Sequence, residues 1–238
     1  MPFIAKAALG FLLLFASLGP AHAQRASDAA MIAGFNSVVF SSEITGPMSD
    51  GTYLKKFMRP VRFRIEQTSR IDRRAAVRRF VTQVDAAIDG LETSFVDEGE
   101  RADFIVHIVD RARYQEVGRR VYGNPFMTVP GNCIVRANYS RQGLRRSDAI
   151  IVSDEGEPLF RRCMVEEILQ GLGPLNDNAD APESVFNDTS QLTEFTRYDR
   201  LILNMLYDER LTPGMREADA APLLPAILRD ARRRLARR

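Results

Sequence analysis

Glu166-Glu167-Ile168-Leu169-Gln170-Gly171-Leu172-Gly173-Pro174-Leu175-Asn176-Asp177 is the stretch on which the reading of the fold turns. It closes an amphipathic run whose spacing predicts a helix from about 159 to 172. Met164, Ile168 and Leu172 recur on one face, and Cys163, Glu166 or Glu167, and Gln170 on the other. Gly173-Pro174 stops the helix, because glycine takes the left-handed end conformation freely and proline cannot continue the helix. Asn176 and Asp177 follow the stop. Gly171-Leu172-Gly173 ends a helix instead of beginning one, which is the wrong geometry for a phosphate loop.

Upstream, Cys133 to Tyr139 and Ser147 to Val152 read as strands joined by a turn at Gln142-Gly143. Ala102 to Val109 is β-branched and apolar, a strand buried on both faces, with His107 packed and hydrogen-bonded within it. The Arg/Gly/Pro-rich segment from Arg111 to Asn132 is expected to be a long surface loop. Val61-Arg62-Phe63-Arg64-Ile65-Glu66 alternates like a half-buried strand. Asp72 is expected to cap a helix carrying Val77, Phe80, Val81, Val84, Ile88 and Leu91 at three-and-four spacing. Asp28 to Met48 is weakly patterned, with Val38-Val39-Phe40 and a turn at Thr45-Gly46-Pro47. It reads as a short helix or as an arm packed across the body. The order strand, helix, strand, strand, strand, helix predicts an α+β fold: a twisted mixed β-sheet with two main helices packed on one face. A C-terminal helical part follows. Thr196 and Asp199 form a capping box ahead of the stripe Leu201, Ile202, Met205 and Leu206. Beyond Ala220, Leu224, Ile227, Leu228, Ala231 and Leu235 make a second stripe beneath arginines that suit the helix dipole. That helix is expected to dock on the body with its arginines solvated; the alternative is contact with an anionic surface.

Residues 1 to 23 read as a signal peptide: Lys6, an apolar stretch from Ala7 to Leu18, then the small-x-small site Ala21-His22-Ala23. Export to the periplasm or beyond, after cleavage near Ala23-Gln24, is the expectation. An N-terminal arm at 24–59, a main domain at 60–212 and a basic amphipathic helix at 213–238 complete the predicted organisation. Lys and Arg number 33 against 31 Asp and Glu, a formal charge of +2, so no bulk field argues for nucleic acid. Cys133 and Cys163 are the only cysteines, and two lone cysteines in an exported chain are expected to pair.

The opening stretch has the spacing of H-E-x-x-H-x-x-G-x-x-H, with Glu166, Gln170 and Asn176 where three histidines would stand. Glu167 falls at the general-base position and Gly173 at the helix-ending glycine. Pro182-Glu183-Ser184-Val185-Phe186-Asn187 resembles a Met-turn segment with Phe186 in place of methionine. Phe195-Thr196-Arg197-Tyr198-Asp199, ending in Leu206-Tyr207, resembles the L-T-x-x-D…L-Y helix that follows such a turn. On these motifs the chain resembles the metzincins, zinc peptidases of zincin fold, over roughly 60 to 207. It also resembles an uncharacterised exported family of proteobacteria, a domain of unknown function. That family shares the paired glutamates, L-G-x-x-N-D, the turn at Ser184 to Asp188, and the ending at Leu206 to Met215. The resemblance implies a zincin-like fold and a cleft that includes Gly173, Asp177, Ser184 and Phe186.

It does not carry the usual chemistry with it. Only His107 remains outside the leader, so no three-histidine site can form, and the amides of Gln170 and Asn176 are poor zinc ligands. Without a metal Glu167 has no activated water to deprotonate. Zinc is therefore not expected. The leading reading is that an internal network among Glu166, Gln170 and Asn176 replaces the metal. The same residues with Asp177 are also the oxygen donors a calcium-type site would use, completed by backbone and water. Glu166 and Glu167 make a poor acid–base pair, because helical neighbours point about 100° apart. The chain shows no serine or cysteine nucleophile signature. A non-catalytic module with a protein or cell-envelope partner is the expectation, and a peptide or cell-wall hydrolase using Glu167 is the alternative.

Overall fold

A computed structural model describes residues 27–41, 52–187 and 189–237. The leader at 1–23 and the turn at Thr45-Gly46-Pro47 lie outside the described residues. Strand β1 (Val61–Gln67) follows its alternation, burying Val61 and Phe63 on one face and setting Arg62, Arg64 and Glu66 on the other. Helix α2 (Arg74–Ala87) buries Val77, Phe80, Val81 and Val84. Its N-cap is Arg73, not Asp72. Asp72 stands one residue further out and accepts from the Arg74 backbone N–H at 3.0 Å, so it serves the helix start from outside. The short strand β2 (Thr93–Phe95) has no counterpart in the sequence reading, since three residues cannot display a period. β3 (Phe104–Val109) is buried along its whole length, as its composition requires.

Helix α3 (Arg111–Tyr122) replaces much of the loop expected at 111–132. Tyr114, Val117 and Gly118 are its only buried positions, so arginines hide a narrow stripe. Gly118 lets the helix meet Val129, and Gly123 closes it in the left-handed conformation at φ 67°. β4 (Cys133–Ser140) and β5 (Gly143–Val152) form a hairpin, β5 starting earlier than Ser147. Gly143, at φ 111°, passes so close to the Lys56 carbonyl that a Cβ would lie 2.5 Å from it.

The sheet order is β2-β1-β3-β5-β4, parallel except where edge strand β4 runs antiparallel to β5. α2 and α4 (Glu157–Gln170) share one face, as the element order predicts. α3 covers part of the opposite face over Val109, Ile134, Ile150 and Val152. On the first face the core is continued by α1 (Asp28–Val39), α5 (Arg197–Leu206), the short α6 (Glu217–Ala220) and α7 (Leu224–Ala236). α1 settles the open choice for the N-terminal segment: Ser27 caps it, and Met31, Phe35, Val38 and Val39 are buried. The 28–40 and 211–231 segments thus contribute to the same core as the 60–212 region. The predicted capping box of α5 is present. The α7 stripe is docked on α5 and α1. Its arginines are not simply solvated: Arg232 reaches Asp28 at 2.7 Å, and Arg234 reaches Asp89 at 3.1 Å and Asp208 at 3.3 Å. Among the described residues no helix is long and apolar enough to cross a membrane.

Candidate functional site

The end of α4 is held by packing on every side. Phe104 lies where a Cβ on Gly171 would sit, 2.4 Å away, and the Lys55 carbonyl and Leu206 lie as close to Gly173. The two carbonyls just past the last residue of α4 are taken by side chains from other elements. The Ser147 hydroxyl donates to Gly171 O at 2.7 Å and the Tyr207 hydroxyl to Leu172 O at 2.9 Å. The glycines of this segment answer to close approach, not to a ligand. At the other side of the helix Cys163 is bonded to Cys133 of β4, the predicted disulfide.

Glu166, Glu167 and Gln170 are all buried, so this is no ordinary solvated face. The Gln170 amide donates to Asp177 Oδ1 at 2.9 Å. The Asn176 amide donates to the Ser37 carbonyl of α1 at 3.1 Å and to Asp177 O at 3.0 Å. The Ser37 hydroxyl also donates to Asp177 O, at 3.3 Å. The two amides are thus engaged by Asp177 and by α1, where the sequence reading sets them with Glu166. Glu166 has the Arg162 guanidinium 3.6 Å away, one turn back on α4. Ser37 was not a candidate, and nothing in its local sequence marks it.

Glu166 and Glu167 come closer than helical neighbours should. One oxygen of each and the Cys133 sulfur all lie within 4.8 Å of one another. Both carboxylates thus reach the β4 end of the disulfide, although neighbours on a helix set out about 100° apart. The sulfur, tied in the disulfide, offers no thiolate. The donor set here is two carboxylates, one fewer ligand than a catalytic zinc usually holds.

Gly173, Ser184 and Phe186, expected at a cleft, are buried instead. Phe186 is a core side chain, and the Ser184 hydroxyl donates to Asp199 Oδ1 at 2.7 Å. Asp199 is the keystone that the sequence showed only as a helix cap. It accepts from the Ser184 hydroxyl, Val185 N, Thr196 N and the Thr196 hydroxyl. Burial pushes its carboxyl pKa up, against donors that favour the charged form. One carboxylate so fixes both the 184–186 turn and the start of α5.

Fold and site together define an α+β domain with a main core on one sheet face and a smaller one under α3, whose polar helix end is closed by hydrogen bonds to Asp177 and the N-terminal helix. The chain belongs to a family of proteins of unknown function, DUF2927, which matches residues 28–226. No curated protein matches it.

Proposed function

We propose that the domain is an exported, non-catalytic module on a metzincin-like frame, in which a polar relay replaced the metal and the surface serves binding to a protein or cell-envelope partner. The carrying observation is the use of the ligand-position side chains: Gln170 is engaged by Asp177, and Asn176 by Ser37. The mixed sheet with α2 and α4 on one face and the stop at Gly173-Pro174 agree with that frame. An amide engaged in this way offers little to a transition metal. Gln170→His is expected to fail to bind zinc and to cost about 1–3 kcal/mol, since the bond from the Gln170 amide to Asp177 is lost. Elemental analysis and urea unfolding of the variant check both halves. One equivalent of tightly bound transition metal in wild-type protein taken from the periplasm would refute the proposal.

The close approach of Glu166 and Glu167 favours one other reading, a hydrolase in which Glu167 is the general base. Its test is Glu167→Gln assayed on peptide and cell-wall material. Activity that survives the substitution in a folded protein rejects it.

A further inference from the structure

On the sheet face opposite α4, β1, β3, β5, β4 and the end of α3 enclose a cleft of about 390 Å³. Its floor is His107, 5% exposed. The imidazole Nδ1 lies 3.0 Å from Glu66 Oε2 and Nε2 lies 3.0 Å from Asp148 Oδ1. Glu66 is the direct cross-strand neighbour of His107, and Asp148 stands on β5 at the other side. Each carboxylate has its own arginine as well. Arg146 grips Asp148 through two contacts of 2.7 Å, and Arg64 reaches Glu66 at 3.0 Å. Burial lowers the histidine pKa, but the two carboxylates outweigh it and the net direction is upward. Cross-strand ion pairing explains this floor as a polar substitute for apolar packing.

It does not explain the rim. Arg120 from α3 and Arg136 from β4 line the same cleft and are exposed. Among the described residues neither forms a salt bridge. Arg136 donates to the Val121 carbonyl and lies over the Tyr122 ring, 5.5 Å from its centroid, which aims its head without neutralising it. Arg64 and Arg146 already balance Glu66 and Asp148, so the rim arginines are surplus positive charge in a chain whose net charge is only +2. Two guanidinium forks from different elements, facing one volume, match a multiply charged oxyanion.

We infer that this cleft is an anion site for a phosphate group, held between Arg120 and Arg136 above the His107 floor. A phosphate monoester carries close to two negative charges near neutral pH, matching the two surplus arginines. The group can be free inorganic phosphate or the head of a phospholipid. Glu66 and Asp148 are the carboxylates that oppose such a ligand, and their contacts to His107, Arg64 and Arg146 offset their charge.

Calorimetric titration of the full chain with inorganic phosphate, at constant ionic strength in chloride, is the first arm. The second is co-sedimentation with phosphatidylcholine vesicles, with and without phosphatidic acid. Saturable binding in the first arm identifies free phosphate as sufficient. Binding only to vesicles that contain phosphatidic acid identifies the headgroup. In either case Arg120→Gln and Arg136→Gln should each raise Kd by roughly tenfold or more, the size of one charge-assisted hydrogen bond. Arg120 sits on the exposed side of α3, so its variant keeps the fold, which the melting temperature checks. No saturable binding in either arm, or binding unchanged in both variants, overturns the inference.

Discussion

His107 joins three strands through one ring, and the charges around it set a pH window. Burial opposes the charge on Asp148, but Arg146 and then His107 hold its carboxyl down at about 2. His107 first and Arg64 second hold Glu66 at about 2. Stability from lowered carboxyls is complete above their ordinary values of 3.8 and 4.5 and is lost as pH falls toward 2. Stability from the raised histidine is complete below its ordinary 6.5 and is lost as pH rises through the folded value. The contribution of the cluster should therefore be greatest between about 4.5 and 6.5. His107→Leu is expected to cost about 1–3 kcal/mol there, because the buried Asp148 and the partly exposed Glu66 lose their shared partner. The cost should shrink on both sides of the window. Urea unfolding of both proteins across pH measures it, and a pH-independent difference would disprove the assignment.

Between elements, the tightest requirement is where α1 crosses α5. A Cβ built on Gly34 falls 1.8 Å from the Tyr198 hydroxyl oxygen. Gly34→Ala should therefore force the helices apart and destabilise by about 1–3 kcal/mol. Most of that cost should disappear in a Tyr198→Phe background, and a double-mutant cycle reads the coupling directly. Additive costs would place the strain elsewhere. The disulfide is the second inter-element tie, joining β4 to α4 across a separation of 30 residues. In the loop-entropy account its removal as Cys133→Ala with Cys163→Ala costs about 2–4 kcal/mol. Thiol titration of denatured, unreduced wild-type protein should detect none; two reactive thiols per chain would contradict the bond.

For the molecule as a whole, the C-terminal helix is part of the core. Leu224, Ile227 and Leu228 are fully buried, and fully burying one such side chain contributes about 1.5–3 kcal/mol. Three of them approach the whole stability of an ordinary domain. A chain truncated before residue 223 should lose its cooperative unfolding transition; a truncated protein that still unfolds in one sharp step would refute this. The sequence by itself determined the elements whose signal is local. Alternation marked β1, apolar β-branched content marked β3, three-and-four spacing marked α2 and α7, and the Thr196–Asp199 box marked the start of α5. The disulfide was also legible, because the only two cysteines of the chain leave one pairing. What only the tertiary structure decided is everything that depends on a distant partner. α3 was hidden because its buried stripe is three residues wide and finds its complement in Val129 and β5. Gln170 pairs with Asp177, and Asn176 turns to Ser37, 139 residues earlier, because α1 packs there. Ser184 and Phe186 face inward because a buried aspartate on α5 pins their turn. A period in the chain specifies which face of an element is apolar; which group satisfies a buried amide or carboxylate is specified only by what the finished core brings beside it.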